Sequence, residues 1–303
     1  MRSPGRGRLL AGFLLLTLIW GTTWSVIRIG LGGVPPFTGV ALRFALAGAL
    51  LTALAPVFGV RLGRAPREPL IWLVNGVLSF CLSYSAVYWS EQYIPSGLAA
   101  VLFATYPLFV AALAHFLLPG ERLRRGAVLG MVLGFAGVAV IFSDDLTLLG
   151  GEAVRRAAFV MLVAPLVSAV ASVVVKRWGG GVHPLSLAAV PMLLAGVVMG
   201  AVALLVERGL PLVFDARSVG ALLYLAILGS AVTFTIYYWL LANMKATRLA
   251  LMSYLIPIVA VAVGAVLFDE PLRPRLLAGS ALVLTGVVIV SRRRHAPPDV
   301  DQP

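Results

Sequence analysis

The sequence YWSEQYIPSGLAAVLFATYPL, residues 88–108, has a counterpart 150 positions later in YWLLANMKATRLALMSYLIPI, residues 238–258. Both stretches begin with Tyr-Trp and carry a proline at the same place. Four further residues recur at a shift of 149: Glu121, Leu123, Gly130 and Gly137 return as Glu270, Leu272, Gly279 and Gly286. A weaker match at a shift of 148 pairs Arg28 with Lys176, Pro36 with Pro184 and Gly48 with Gly196. The second half of the chain is therefore a diverged copy of the first.

The composition places both copies in a membrane. The chain has 303 residues, of which 60% are hydrophobic and 12% are charged, and its mean hydropathy is +1.00. Soluble domains carry about 25% charged residues. A membrane-spanning helix uses about 20 residues, so ten of them would occupy roughly two thirds of this chain and leave no room for a soluble domain of about 100 residues. Composition therefore predicts an all-α integral membrane protein.

Ten apolar segments are long enough to span the bilayer, and prolines and glycines separate them. The predicted spans are 9–30, 36–58, 69–92, 95–117, 126–143, 156–175, 184–206, 217–241, 246–268 and 274–291. The first apolar run, Leu9–Ile27, is longer than the roughly 7–15 residues of a signal-peptide core. We therefore predict an uncleaved first span.

The basic residues indicate how these spans are oriented. With the N-terminus in the cytoplasm, the cytoplasmic tails and loops hold 16 Lys and Arg residues and the outer loops hold 7. Cytoplasmic loops of membrane proteins carry such an excess. The bias predicts that both termini are cytoplasmic, in an inner (plasma) membrane protein. It also accounts for the net charge of +12 without nucleic-acid binding, because the basic groups lie between apolar runs.

Five spans per copy have a geometric consequence. An odd number of crossings makes the second copy enter the membrane from the opposite face, so the copies form an inverted repeat. We predict a cytoplasmic tail over 1–8, a first repeat over 9–143, an outer linker over 144–155, a second repeat over 156–291 and a cytoplasmic tail over 292–303. Such repeats can expose one site near the bilayer midplane to each face in turn.

Several motifs resemble those of the drug/metabolite transporter superfamily, in its ten-span EamA branch. They are Trp20-Gly21-Thr22-Thr23-Trp24, Leu42-Arg43-Phe44, the run from Ser90 to Leu108, and Gly120-Glu121-Arg122-Leu123 with its echo Asp269-Glu270-Pro271-Leu272. The resemblance covers nearly the whole chain and implies a ten-helix inverted-repeat carrier with a central cavity formed by both halves. It also implies export or uptake of small metabolites, amino acids or drugs. The second copy departs from the pattern at Ser168 to Lys176, which lacks the Trp-Gly-Thr-Thr-Trp motif.

Matched prolines mark the middle of two spans. Pro107 and Pro257 lie 12 and 11 residues into their predicted spans, close to the midplane at about 1.5 Å per residue. A proline within a helix frees the carbonyl four residues earlier, here at Phe103 and Ser253. Such breaks occur where backbone faces protein or a wet cavity. We predict that both prolines line a binding site, although a kink for helix packing is the alternative.

Aromatic and hydroxyl side chains cluster in the spans that would surround such a site. The predicted cavity residues, besides the two prolines, are Trp20, Thr23, Trp24, Ser79, Ser83, Tyr84, Tyr88, Tyr106, Thr233, Tyr237, Tyr238, Ser253 and Tyr254. Rings with a polar edge suit a cavity that holds and releases partly apolar substrates. Packing between helices remains the alternative for each, and Trp and Tyr near span ends form interfacial belts.

Ionisable residues within spans are costly and therefore functional candidates. Arg43 lies about seven residues into its span, and Glu91 near the outer end of the third span is its nearest carboxylate, with Arg28 as a competing partner. Glu91 could bind a proton or a substrate ammonium group, or form a structural ion pair. His115 could titrate near neutral pH or make a structural hydrogen bond.

Glycines predict where helices approach closely. Gly126, Gly130 and Gly134 recur every four residues on the fifth span, and Gly279 and Gly286 lie on its counterpart. Such rows let backbones come together, either within the bundle or between two copies of the chain.

The sequence predicts a secondary transporter that carries a small organic solute outward by alternating access, with proton coupling as a hypothesis. No phosphate-binding loop or metal-ligand spacing is visible, so neither a cofactor nor ATP-driven transport is expected. The rivals are a membrane-embedded enzyme or lipid-handling protein, for which the buried ionisable groups are too few, and a channel. The sequence leaves the oligomeric state, the substrate and the direction open.

Overall fold

The computed structural model describes residues 4–94, 96–141, 151–259 and 274–291. These residues form ten helical spans joined by short turns. The spans of the first copy, numbered 1 to 5, are Arg6–Leu31, Pro36–Leu54, Glu68–Ser90, Leu98–Leu117 and Arg125–Ile141. Those of the second copy, numbered 6 to 10, are Glu152–Trp178, Pro184–Val206, Ala216–Asn243, Ala246–Val259 and Pro274–Ser291.

The predicted fold class, an all-α protein of ten apolar spans in two five-span repeats, is confirmed. Seven spans are long and apolar enough to cross a bilayer, and spans 5, 9 and 10 are shorter apolar helices in the part of the chain that the structure describes. Several predicted features lie outside the described residues: the end of span 9 at 268, the echo motif at 269–272, linker positions 144–150, and tail positions 1–3 and 292–303.

Spans 3 and 8 each contain a π-helical stretch, which the sequence did not predict. Gly76–Ser83 in span 3 and Ile227–Val232 in span 8 occupy equivalent places in the two repeats. A π-helical turn breaks the regular backbone hydrogen-bond pattern and is frequent at functional sites. In span 8 the carbonyl of Gly229 is thereby available to side chains from spans 1 and 2.

The two matched prolines behave differently. Span 4 is divided into Ser96–Phe103 and Tyr106–Leu117, and Pro107 lies in the first turn of the second helix. A proline is tolerated there because the amide it lacks would have no partner in the helix. Pro107 therefore begins a helix after a break, so the alternative given for it, a kink inside a continuous helix, does not describe this position. Pro257 does lie inside helical backbone, within span 9.

Equivalent helices of the two repeats pack against each other, as an inverted repeat requires. Span 2 lies against span 7, and span 5 lies against span 10. A Cβ atom at Gly48 would come within 2.6 Å of the Leu193 backbone nitrogen, and one at Gly196 within 2.7 Å of the Ala45 backbone. The matched pair Gly48 and Gly196 thus lets spans 2 and 7 approach closely.

Glycines play the same part between spans 5 and 10. A Cβ atom at Gly130 would lie 2.7 Å from the carbonyl oxygen of Gly286, and one at Gly137 would lie 2.6 Å from that of Gly279. Gly126, by contrast, has open space beside it. Of the predicted row, Gly130 and Gly134 therefore lie against Gly286 of span 10, whereas Gly126 does not. Gly137, outside that row, makes a further close contact with span 10.

A carboxylate joins the two repeats at the end of the bundle where span 4 ends. Glu121 accepts hydrogen bonds from the backbone amides of Ala246 and Thr247 at 2.8 and 3.0 Å, and from Thr247 Oγ1 at 2.9 Å. The first amides of a helix have no partner within the helix, and a carboxylate is stabilised there by the helix dipole. Glu121 therefore caps span 9 from the other repeat.

The opposite end of the bundle carries the same arrangement with the repeats exchanged. Glu207, after span 7, accepts from the backbone amides of Phe37 and Thr38 at 2.7 and 2.8 Å and from Thr38 Oγ1 at 2.7 Å. It caps span 2 from the second repeat. One such carboxylate cap thus links the repeats at each end of the described bundle.

Candidate functional site

A central cavity lies between three spans of each repeat. Spans 1, 3 and 4 supply one part of its wall, and spans 6, 8 and 9 supply the other. These are equivalent sets, because each span of the first set is matched by the span five places later. Spans 2, 5, 7 and 10 pair behind them. The inverted repeat therefore builds the cavity from corresponding helices of its two halves.

Eleven of the fifteen side chains predicted for a cavity line this one. They are Trp20, Thr23, Trp24, Ser79, Ser83, Tyr84, Tyr106, Tyr237, Tyr238, Ser253 and Pro257. Whether they bind a substrate stays a prediction.

The other four predicted side chains lie outside this lining. Tyr88 accepts a hydrogen bond from Arg43 Nη1 at 3.3 Å, and Thr233 accepts one from the indole nitrogen of Trp20 at 3.0 Å, directly behind the wall. Pro107 begins the second helix of span 4. Tyr254 points away from the cavity toward span 5, where its hydroxyl donates to the Met131 carbonyl at 2.8 Å.

Two polar lining residues were missed by the sequence analysis. Ser168 and Ser172, on span 6, face the cavity four residues apart. At the shift of 148 that relates the first spans of the two copies, they correspond to Trp20 and Trp24. The register of the repeat is the signal that would have located them. The absence of the tryptophans in the second copy concealed it.

Three hydroxyl groups close one side of the cavity with a ring of hydrogen bonds. Tyr106 and Tyr237 have their hydroxyl oxygens 2.7 Å apart, and each lies 2.8 Å from Ser172 Oγ. All three side chains are buried. Each hydroxyl can donate once and accept once, so the ring is satisfied without water. It joins span 4 of the first repeat to spans 6 and 8 of the second.

Six aromatic side chains belong to the rest of the wall. Trp20 packs its ring against Phe234 and Tyr237, with centroids 5.1 and 5.7 Å apart. Trp24 meets the edge of Phe103 at 5.7 Å, and Tyr84 meets Phe234 at 6.1 Å. Such tilted and edge-on pairs hold the rings in fixed positions.

Arg43 is fully buried directly behind this wall. Its Nε donates to Ser230 Oγ at 2.7 Å and its Nη2 to the carbonyl of Gly229 at 2.9 Å, both in the π-helical stretch of span 8. Its guanidinium carbon lies 4.7 Å from the ring centroid of Tyr84, in cation–π geometry. The indole nitrogen of Trp20 also points to the Gly229 carbonyl, at 3.3 Å.

The direct ion pair considered for Arg43 and Glu91 is not formed. The donors of Arg43 are taken by a hydroxyl, a carbonyl and the Tyr88 phenol, and both carboxylate oxygens of Glu91 lack a hydrogen-bond partner among the described residues. Arg28 and Arg43 act on Glu91 electrostatically, from spans 1 and 2.

His115 lies far from the cavity wall, near the end of span 4. Its Nδ1 accepts a hydrogen bond at 3.0 Å from the backbone amide of Leu123, beyond the following turn. This contact fits the structural alternative for His115, since it ties the turn to the helix.

Comparison with known proteins identifies the family. A model of the EamA-like transporter family matches residues 7–143 and again residues 155–292. The chain belongs to this family. Membership makes it a multi-pass membrane transporter and not an enzyme. The two matches fall on the two copies seen in the sequence.

Relatives of this EamA-like transporter match it over nearly their whole length. The "Uncharacterized inner membrane transporter YedA" of Escherichia coli is 30% identical over 96% of this chain and 92% of its own. The "Probable amino-acid metabolite efflux pump" of E. coli is 27% identical over 91% and 92%. A protein of known crystal structure superposes with a TM-score of 0.79 over 95% of this chain and 97% of that one; at 22% identity this likeness shows the fold alone.

The chemistry of the cavity in this EamA-like transporter is neutral. None of its twenty lining side chains is an acid, an amine or a guanidinium, and their polar N and O atoms are hydroxyl oxygens and the indole nitrogens of Trp20 and Trp24. Hydroxyls donate and accept hydrogen bonds without fixing a charge preference, and aromatic faces bind apolar groups and cations. The wall therefore suits a small, partly apolar solute with polar ends and no net charge.

Proposed function

We propose that this EamA-like transporter is a secondary carrier that exports small amino-acid metabolites with an apolar or aromatic part. The observation that carries the proposal is the neutral cavity formed by equivalent helices of both repeats. Neutral zwitterions place their apolar part against rings and their ends against hydroxyls, with no unpaired protein charge to satisfy. The printed name of the efflux pump at 27% identity supports the same substrate class and the outward direction.

The orientation proposed from the basic residues indicates on which side of the membrane the two carboxylate caps and the hydroxyl ring lie. The end with Glu121 and the start of span 9 then faces the cytoplasm, and the end with Glu207 and the start of span 2 faces outward, in the inner membrane. Ser172 and Tyr237 then fall in the cytoplasmic half of spans 6 and 8, and Tyr106 lies near the middle of span 4, at about 1.5 Å per residue. The hydroxyl ring is then a cytoplasmic closure of the cavity.

Alternating access follows from these contacts. Opening the cavity to the cytoplasm requires the ring that joins Tyr106 to Ser172 and Tyr237 to separate, because it lies across the path between the repeats. A ligand favours whichever conformation it binds better, so a substrate that replaces the lost hydrogen bonds lowers the cost of opening.

Counterflow in proteoliposomes tests the proposal. The purified protein is reconstituted into liposomes that contain unlabelled solute. Radiolabelled L-phenylalanine, L-leucine, L-lysine or L-glutamate is then added outside. We expect saturable counterflow of L-phenylalanine or L-leucine, which carry no net charge, and slower counterflow of L-lysine and L-glutamate. Trp20→Ala removes the largest ring of the wall and is expected to lower it about tenfold, which corresponds to about 1.4 kcal/mol.

The matched control is Trp178→Ala, since Trp178 is half-exposed at the end of span 6 and outside the cavity. This variant is expected to transport as the parent protein does. Counterflow no greater than in protein-free liposomes for all four solutes, or equal loss in both tryptophan variants, contradicts the proposal.

A further inference from the structure

Four glutamates are buried in the described part of the chain, and three of them have a clear structural role. Glu121 and Glu207 each accept three hydrogen bonds as helix caps, and Glu68 accepts from the Ala65 amide at 3.0 Å and from Ser186 Oγ. The fourth, Glu91, is 3% exposed, and neither of its oxygens has a hydrogen-bond partner among the described residues. Glu91 therefore differs from the others in having no donors.

A buried carboxylate without donors is costly in its ionised form. Removal from water penalises the charge, and no hydrogen bond compensates for it. Uptake of a proton removes that charge and hence most of the penalty. Two positive charges oppose the uptake, since Arg28 and Arg43 attract the anion. Burial is the larger of these opposing effects, so it favours the proton-bound form of the side chain more than water would.

Few other charged or titratable groups near Glu91 could bind the proton in its place. Arg28 approaches from span 1 and Arg43 from span 2, while Tyr88 of span 3 is bound to Arg43. Three charged residues stand at the start of span 6, which packs beside the end of span 3. They are Glu152, Arg155 and Arg156, all exposed, with Glu152 paired to Arg156 at 3.8 Å.

Arg43 connects this carboxyl to the cavity. Arg43 donates a hydrogen bond to the carbonyl of Gly229, which also accepts one from the indole nitrogen of Trp20. Its guanidinium lies over the face of the Tyr84 ring. Trp20 and Tyr84 both line the cavity. Protonation of Glu91 removes a negative charge that stabilises the guanidinium at this position. The guanidinium must then rely more strongly on its neutral partners, which are parts of the cavity wall.

We propose that Glu91 is a proton-binding site, and that Arg43 transmits its charge state to the wall formed by Trp20 and Tyr84. The step is a simple proton exchange, in which the carboxylate takes one proton from water at the outer face and returns it there. The link to transport rests on the proposed function, whereas the protonation itself does not.

Infrared spectroscopy tests the site without any substrate. The protein in lipid is titrated from mildly acidic to mildly alkaline pH, and the C=O stretch of a protonated carboxylic acid is followed. We expect a band that disappears as the pH rises and that Glu91→Gln removes. Glu68→Gln is the matched control and should retain it. A missing band, or one that persists in Glu91→Gln, overturns the proposal.

Flux measurements test the link to the cavity. With L-phenylalanine as the probe, counterflow in the parent protein should change several-fold with outer pH and not with inner pH, and Glu91→Gln should make it independent of both. Glu91→Asp should retain a response. A response to outer pH that survives in Glu91→Gln overturns the transmission through Arg43. If the parent protein moves none of the four amino acids, the proposed function fails, and the infrared band alone still decides whether Glu91 binds a proton.

Discussion

The hydroxyl oxygens of Tyr106 and Tyr237 lie 2.7 Å apart, although one side chain belongs to the first repeat and the other to the second. Ser172 completes a ring with both. The contact is local in space and 131 residues apart in sequence. It closes one side of the cavity with groups that can equally hydrogen-bond a solute, so under the proposed function the same atoms would take part in binding and in gating.

The ring predicts the effect of removing one hydroxyl. Tyr237→Phe removes the two hydrogen bonds that the Tyr237 hydroxyl makes to Tyr106 and Ser172. It keeps the aromatic side chain in place. At about 1 kcal/mol for a hydrogen bond, the closed arrangement should become at least about fivefold less favoured. A cysteine placed at Ser253, in a Cys81→Ala background, should then react faster with a thiol reagent supplied from the cytoplasmic face.

Tyr254→Phe is the matched control for this experiment. Its hydroxyl also makes one buried hydrogen bond, but to the Met131 carbonyl away from the cavity. Cysteine reactivity should be unchanged in this variant. Equal acceleration in both phenylalanine variants would show a general loosening and not the opening of a gate.

The carboxylate caps predict a loss of stability. Glu121→Gln and Glu207→Gln each replace a charged acceptor of three hydrogen bonds with a neutral amide that has one acceptor oxygen. Each should lower the free energy of unfolding by about 1–3 kcal/mol. The single cysteine, Cys81, is buried and reports unfolding when a thiol-reactive dye gains access to it on heating.

Glu152→Gln serves as the comparison for both caps, because Glu152 is exposed and its ion pair among the described residues is with Arg156 at the surface. Exposed ion pairs contribute about 0–1 kcal/mol to the free energy of unfolding. The midpoint of thermal unfolding of Glu152→Gln should therefore stay close to that of the parent protein. Midpoints that fall equally in all three variants would contradict the assigned role of the caps.

The contact between spans 5 and 10 predicts which glycine tolerates a side chain. In Gly130→Val the new Cβ atom would meet the Gly286 carbonyl at 2.7 Å, so the helices must separate, at a cost of about 1–3 kcal/mol. In Gly126→Val the space is open. The Cys81 dye assay should therefore show a lower unfolding temperature for Gly130→Val alone. Equal destabilisation in both variants would rule out this packing.

The buried guanidinium predicts that lysine is not an adequate replacement. Arg43 uses a planar fork to reach Ser230 and Gly229 while its face covers Tyr84. Arg43→Lys keeps the charge and loses this geometry. Counterflow should fall about tenfold or more, with a lower affinity for the solute because the Gly229 carbonyl and Trp20 lose their support. Unchanged counterflow in Arg43→Lys would contradict the role of the fork.

The sequence predicted the fold because the fold depends on long, regular signals. Apolar length gave the ten spans, the repeat gave their division into two sets of five, and Gly130 marked a close approach that the structure contains. Most predicted lining side chains were found in the same way, since hydroxyls and aromatic rings inside apolar spans are conspicuous. These inferences use only the local residue type and the membrane environment.

What the sequence missed depends on tertiary contacts. The π-helical stretches at Gly76–Ser83 and Ile227–Val232 carry no residue pattern that distinguishes them from α-helix. The partner of Arg43 was sought among carboxylates, but a hydroxyl and a carbonyl about 187 residues away bind it instead. Such neutral partners are too common in the sequence to be selected without coordinates.

Access to the cavity from both faces is the most direct test of the account. A cysteine at Ser253 in the Cys81→Ala background is treated with a membrane-impermeant thiol reagent, in right-side-out and in inside-out vesicles. We predict reaction from each face, with transported solute slowing the reaction in both orientations. Reaction from one face only, under all conditions of solute and pH, would contradict a shared cavity that opens alternately to the two sides.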